Sequence, residues 1–275
     1  MKNVARLMLG AAMVATSAAG EQPQTIDAFF SEGSPTRVIA HRGFSAKAPE
    51  NTLAAVRLAM EIGADMVEID ITVSSDGHVV VIHDETLERT TNGRGAVAEH
   101  SLAELRELDA GSWFAPRYLG EPIPTLGEVL DLVRGRMLLN VEIKPEAVTL
   151  GAPRLVAELI MERRMAAHVV VSSFAPAALD ALRREAPEIR TASLYNDELH
   201  RGLTPRDIVE EVGATAFNID HRSLSRETLA SCRELGLPVS VYTVNDLTRM
   251  KELVAIGVDA IFTDRPDALI ELLEE

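Results

Sequence analysis

From Val38 onward the chain repeats one rhythm: a short β-branched run, then a longer stretch whose apolar residues recur at helical spacing. That alternation is the signature of βαβ units feeding a parallel sheet. Eight principal strands are predicted, at Val38 to His41, Met66 to Ile71, Met137 to Ile143, His168 to Ser173, Arg190 to Leu194, Ala216 to Ile219, Val239 to Thr243 and Ala260 to Thr263. Helical periodicity fills the gaps at Thr52 to Ile62, Leu126 to Val133, Pro153 to Arg163, Pro176 to Glu185, Thr204 to Val212, Ser225 to Leu235 and Asp246 to Ile256. Eight such units in 275 residues imply an α/β fold, a (β/α)8 TIM barrel.

One further strand, His78 to His83, breaks the count. It follows the second strand across Ser74-Ser75-Asp76-Gly77, whose Asp-Gly pair signals a hairpin, so it should run antiparallel to that strand at the barrel mouth. Asp84 to Glu128 then becomes a small insertion between strands two and three, punctuated by Gly93, Gly95, Gly111, Pro116, Pro122 and Pro124, with a short helix near Leu102 to Leu108. Insertions of this kind cap the active face of barrels. Its aromatics Trp113, Phe114 and Tyr118 could pack the cap against the barrel or touch a ligand.

The excess of 42 acidic over 27 basic residues gives a net charge of -15, which disfavours nucleic acid as a partner. An anionic substrate would need a locally positive site, and a bound divalent cation can supply one. A single cysteine, Cys232, excludes an intramolecular disulfide and a multi-thiolate zinc site. At the N-terminus Lys2 and Arg6 precede an apolar run from Leu7 to Ala15 and small residues through Gly20, the layout of a signal peptide over residues 1–20. Export, periplasmic or secreted, is the expectation; a surface helix there would instead mean a cytoplasmic protein. The run is too short to span a bilayer, and no stable membrane insertion is expected.

Glu68 and Asp70 lie two apart in a strand, so their side chains share a face near the end where barrel active sites assemble. A solvated strand face would explain that pair alone. Glu142, near the end of the next barrel strand, completes a three-carboxylate set of hard oxygens suited to Ca2+ or Mg2+. His41 closes strand one and His83 ends the hairpin, so both can overhang the same mouth and share proton transfer, one accepting and one donating. Arg42 and Lys144, beside His41 and Glu142, can bind phosphate oxygens or simply pair with the neighbouring carboxylates. His78, His100, His168, His200 and His221 sit at strand starts or in loops and read as local structural groups. Asn51 and Thr52 directly precede a helix and read as its N-cap, with Glu50 a partner of Arg42 outside the catalytic core.

At these residues the chain resembles the glycerophosphodiester phosphodiesterase family. His41-Arg42-Gly43, Pro49-Glu50-Asn51-Thr52, Glu68-Ile69-Asp70, His83-Asp84, Glu142-Ile143-Lys144, Ser173-Phe174, Thr243-Val244-Asn245 and Thr263-Asp264-Arg265-Pro266 occur in the family's order. Each block is weak and the ordered set is strong; the likeness covers residues 37–272, taken as one barrel domain. It implies that His41 and His83 are acid and base, that Glu68, Asp70 and Glu142 bind Ca2+ or Mg2+, and that Arg42 and Lys144 hold phosphate. Phe174 and Tyr242 would face the substrate, Tyr242 standing where the family usually has Trp. The implied reaction cleaves a small glycerophosphodiester into an alcohol and glycerol 3-phosphate through a cyclic phosphate. Alternatives are a related barrel phospholipase D acting on lysophospholipids or sphingomyelin, and a non-catalytic barrel that binds phosphate ligands.

Overall fold

The structure is a computed structural model that describes residues 25–31, 33–200 and 202–275. The segment read as a signal peptide lies outside the described residues. The chain runs α1 (Ile26–Phe29), β1 (Arg37–Ala40), α2 (Leu53–Glu61), β2 (Met66–Val73), β3 (Val79–Val81), α3 (Leu102–Arg106), α4 (Leu126–Val133) and β4 (Leu138–Ile143). It continues with α5 (Ala152–Glu162), β5 (Val169–Ser173), α6 (Pro176–Glu185), β6 (Arg190–Tyr195), α7 (Pro205–Val212) and β7 (Ala216–Asp220). It ends with α8 (Arg226–Glu234), β8 (Val239–Tyr242), α9 (Leu247–Ile256), β9 (Ala260–Thr263) and α10 (Pro266–Glu274).

Eight of the strands are parallel and close on themselves, because β1 pairs both with β2 (Ile39 opposite Met66) and with β9 (Ile39 opposite Phe262). The expected barrel and all eight expected strands are therefore present. Alternation along each strand sorts its side chains. Val67, Ile69 and Ile71 of β2 join the core between sheet and helices, as do their register partners Leu139, Val141 and Ile143 of β4. Met66 and Leu138 point the other way, into the lower barrel, and Glu68, Asp70 and Glu142 share their parity nearer the mouth.

The lower end is closed by α1, a helix of four residues capped by Thr25 that sequence periodicity does not reveal. Its Ile26 and Phe29 are each 1% exposed and pack among Ile39, Met66, Leu138 and Val170. At the other end β3 pairs antiparallel with β2 (Ile71 opposite Val81), as the Asp-Gly hairpin requires. The insertion that follows folds over its own small core of Val80, Ile82, Leu87, Val97, Leu105 and Ile123. It gives way to α4 at Leu126, the expected start of that helix: Thr125 caps it, and Glu128 completes the capping box. The insertion is fastened to the loop after β1 by Tyr118 Oη and Arg117 Nη2, both donating to the Lys47 carbonyl at 2.9 and 3.0 Å. Trp113 donates its indole N–H to Ala110 within the insertion. Two of the cap aromatics thus make structural bonds.

Candidate active site

Three carboxylates meet at the mouth. Ligand oxygens of Glu68, Asp70 and Glu142 lie within 4.8 Å of one another, and Glu68 and Asp70 are 2% and 1% exposed. Burial, then the charge of Asp70, pushes the Glu68 carboxyl well above its usual range, and the same two causes raise Glu142. Burial acts upward on Asp70 also, but Arg42 and Lys144 outweigh it and hold that group at about 2. Oε1 of Glu68 and Oδ1 of Asp70 are buried and accept no hydrogen bond. Buried oxygens left in that state are costly unless something else occupies them. A hard divalent cation fits this donor set, both in ligand type and in the positive charge the cluster lacks.

The cations beside the cluster are spoken for by it. Arg42 donates from Nη1 to Glu50 Oε1 at 2.7 Å and lies with Nε 3.2 Å from Asp70 Oδ2. Lys144 donates to Glu142 Oε1 at 2.9 Å and stands 3.6 Å from Asp70 Oδ1. Both cations thus pair with neighbouring carboxylates, and Glu50 is the partner of Arg42 that its position suggested. Arg42 also turns its backbone N–H onto Glu68 Oε2 at 2.8 Å, from a left-handed conformation with φ of 55°. Gly43 follows at φ 82°, where an added Cβ would stand 2.6 Å from the Ala55 backbone, so the His-Arg-Gly turn needs a glycine there.

Both histidines border the carboxylate group. His41 Nε2 is 4.0 Å from Glu68, and its Nδ1 is 2.7 Å from Asp264 Oδ1. His83 feels the charge of Asp70; its position follows from the backbone bond of Ile82 N–H to the Asp70 carbonyl at 3.1 Å. Its Nδ1 is 2.6 Å from Asp84 Oδ1. Each aspartate accepts from Nδ1–H and so leaves Nε2 as the free nitrogen. Burial acts downward on both rings. In His41 the bond to Asp264 and the charge of Glu68 override it and the pKa is raised, whereas in His83 burial prevails and the pKa is lowered.

Several residues that hold this site in place escape a sequence reading. Asp264 is itself held by Asn245 Nδ2 at 2.6 Å and Ser45 Oγ at 2.9 Å. Of the pair expected to cap α2, Thr52 does so through Oγ1, while Asn51 instead donates to Asp70 Oδ2 at 2.8 Å and accepts from the Asp70 N–H at 3.1 Å. The ordered family blocks carried the available signal, since Asp264, Asn245 and Asn51 all stand in them.

Two hollows meet at His41, and only the smaller is lined by carboxylates of the cluster. A cleft of about 490 Å³ is lined by His41, Arg42, Ser45, Asn245, Asp264 and Arg265. A smaller hollow of about 30 Å³ runs between Glu68, Glu142, Phe174, Leu194, Tyr242 and Phe262. Phe174 meets Tyr242 edge to face with centroids 5.9 Å apart. The Tyr242 hydroxyl is turned away and donates to the Tyr195 carbonyl at 2.6 Å, so this wall presents a ring and no hydroxyl.

A parallel barrel carrying a carboxylate triad at the carboxyl end of its strands, flanked by two aspartate-held histidines, is an arrangement suited to cation-assisted hydrolysis with proton transfer. Comparison with known proteins narrows the class. The glycerophosphoryl diester phosphodiesterase family matches residues 41–268, and the chain belongs to that family. It is 38% identical to a glycerophosphodiester phosphodiesterase of Caldanaerobacter subterraneus over 87% of this chain and 98% of that protein. A glycerophosphodiester phosphodiesterase of Bacillus subtilis is 34% identical over 85% of this chain and 86% of its own length. Among solved structures, a phosphodiesterase from Oleispira antarctica in complex with the product sn-glycerol-3-phosphate superposes with a TM-score of 0.81 at 32% identity, covering 88% of this chain and 98% of that one. A glycerophosphodiester phosphodiesterase from Agrobacterium tumefaciens gives 0.77 at 34% identity, covering 86% and 99%.

Proposed function

We propose that the chain hydrolyses small glycerophosphodiesters to an alcohol and glycerol 3-phosphate, with His41 and His83 moving the protons and Glu68, Asp70 and Glu142 holding one Ca2+ or Mg2+. The observation that carries this reading is the triad with two buried oxygens that accept no hydrogen bond, flanked by two histidines whose Nδ1 atoms are each committed to an aspartate. When bound, the cation would stabilise negative charge on the phosphoryl oxygens.

The residues of the chain do the rest. Arg42 and Lys144 face the triad and exchange carboxylate partners for phosphate oxygens as the diester enters. One histidine Nε2 takes the proton of the glycerol hydroxyl next to the ester, which attacks phosphorus, and the other gives a proton to the departing alkoxide. The resulting cyclic phosphate is opened by water with the two roles exchanged. An attacking hydroxyl already on the substrate removes much of the entropic cost of attack. Phe174 and Tyr242 form the apolar wall that receives the uncharged part of the substrate. The N-terminal layout of Lys2, Arg6 and the apolar run supports export, which N-terminal sequencing of the secreted or periplasmic protein tests.

The decisive assay follows glycerol 3-phosphate release from glycerophosphocholine, with lysophosphatidylcholine in parallel, in EDTA and after adding back Ca2+ or Mg2+. Cation-dependent release from the water-soluble diester is expected. Turnover of the lysophospholipid alone, or undiminished turnover in excess chelator, would overturn the proposal. Among the described residues no helix is long and apolar enough to cross a membrane.

A further inference from the structure

Beyond Asp84, the insertion reaches the site through Arg89. Arg89 donates from Nε and Nη2 to the two oxygens of Asp84, at 2.6 and 2.8 Å, and from Nη1 and Nη2 to the two oxygens of Glu50, at 2.9 and 2.8 Å. Asp84 is the carboxylate that holds His83 Nδ1, and Glu50 is the carboxylate that holds Arg42 Nη1. One guanidinium thus ties together the partners of a proton-transfer group and a phosphate-facing cation, from two separate stretches of chain. We propose that Arg89 is a positioning residue that orients His83 and Arg42 together, through Asp84 and Glu50.

The chemistry of the fork makes this role specific to arginine. A planar guanidinium can bind two carboxylates edge-on at once, whereas an ammonium is a point charge that satisfies one geometry at a time. With Arg89 in place, Asp84 stays anionic and fixed, so it accepts from Nδ1–H and keeps the His83 ring in the tautomer whose Nε2 is free. Glu50 is likewise held while it balances Arg42, which leaves Arg42 able to turn toward phosphate without stranding a carboxylate. Docking of the insertion does not depend on Arg89. Tyr118 and Arg117 bind the Lys47 carbonyl, and Glu121 accepts from the Ala54 N–H at 3.0 Å. Loss of the guanidinium should therefore leave the fold standing.

The inference rests on the acid–base reading of His83, and the experiment separates the two. Arg89→Ala and Arg89→Lys are compared with wild type and His83→Ala in the full, cation-loaded chain, using glycerophosphocholine. Expected is a loss in kcat of about 10- to 100-fold for Arg89→Ala with little change in KM and melting temperature. Arg89→Lys should recover less than half of that loss on a logarithmic scale, and added guanidinium ion should restore turnover to Arg89→Ala but not to His83→Ala. In parallel, nitrogen NMR of the imidazoles should show the His83 Nδ1 proton in wild type and its loss or broadening in Arg89→Ala. Retention of kcat within twofold, an effect confined to KM, absence of guanidinium rescue, or an unchanged His83 resonance would each overturn the proposal. If wild type hydrolyses no diester, the acid–base reading fails by itself, while the NMR comparison still decides whether Arg89 orients His83.

Discussion

The two ends of this barrel are built on opposite principles. At the bottom, Ile26 and Phe29 of α1 close a layer of Ile39, Met66, Leu138 and Val170, every one buried and none polar. At the mouth the same strands carry Glu68, Asp70 and Glu142, buried or nearly so but mutually repelling and with two oxygens left without a hydrogen bond. Strand β2 makes the contrast within five residues, from Met66 below to Asp70 above. The bottom minimises its own free energy. The mouth sets its repelling carboxylates against Arg42, Lys144 and Asn51, an arrangement whose donor set suits a cation. Stability and activity should therefore respond to different substitutions.

The largest expected effect separates them on activity. His41→Ala or Glu68→Ala should lower kcat by on the order of 10³-fold in the cation-loaded enzyme, with the circular dichroism spectrum unchanged. Full turnover in either variant would break the contrast from the mouth side. The converse substitution, Phe29→Ala, should cost about 3 to 5 kcal/mol of unfolding free energy, read as a urea midpoint, and leave kcat as it was. A comparable loss of turnover at temperatures where that variant is folded would show the two ends to be coupled. Third, the cation itself should act as a mouth-specific stabiliser. At about 100 times its Kd it should add about 2.7 kcal/mol. Above pH 8, where the raised Glu68 carboxyl is ionised, Glu68→Gln in chelator should melt above wild type in chelator, because it removes one buried charge from a repelling set. A lower melting temperature for that variant would mean that the triad is content without a cation.

The same contrast decides what a sequence discloses. Both faces of a parallel strand are covered, so β2, β4 and β5 are largely apolar or β-branched runs, and the acidic Glu68, Asp70 and Glu142 stand out against them. His41 and His83 were legible for a related reason, as polar groups at strand ends. Partners that depend on closure were not. Asp264 meets His41 across 223 residues, and Arg89 meets Glu50 across 39, separations that no local pattern encodes. Asn51 was misleading because an asparagine before Thr52 and an apolar helix has the appearance of a cap, and its φ of 59° leaves no trace in the sequence. The plug α1 is too short to show a period, so its role appears only when the lower layer is seen to need a lid.

The smallest effect tests whether the mouth's own electrostatics leave a signature that the bottom lacks. Burial pushes Asp264 up, but its bond from His41, with those from Asn245 and Ser45, holds it at about 2, below its ordinary 3.8. A depressed carboxyl contributes stability that is present above its unfolded value and is lost as pH falls through the folded one, here between 3.8 and about 2. His41 is shifted the other way, against the pull of burial, so its contribution is complete below its ordinary 6.5 and is lost as pH rises through the raised folded value. The pair is therefore fully stabilising from pH 3.8 to 6.5 and fades on both sides. In chelator, Asp264→Asn should lower stability by roughly 1 kcal/mol within that window, after allowance for the partial exposure of the pair. The deficit should shrink toward pH 2 and again above neutrality, whereas the deficit of Phe29→Ala should be nearly flat with pH because the layer it packs in is apolar throughout. Urea midpoints of the two variants at several pH values make the comparison, and a pH-independent deficit for Asp264→Asn would show that the His41–Asp264 bond contributes nothing beyond packing.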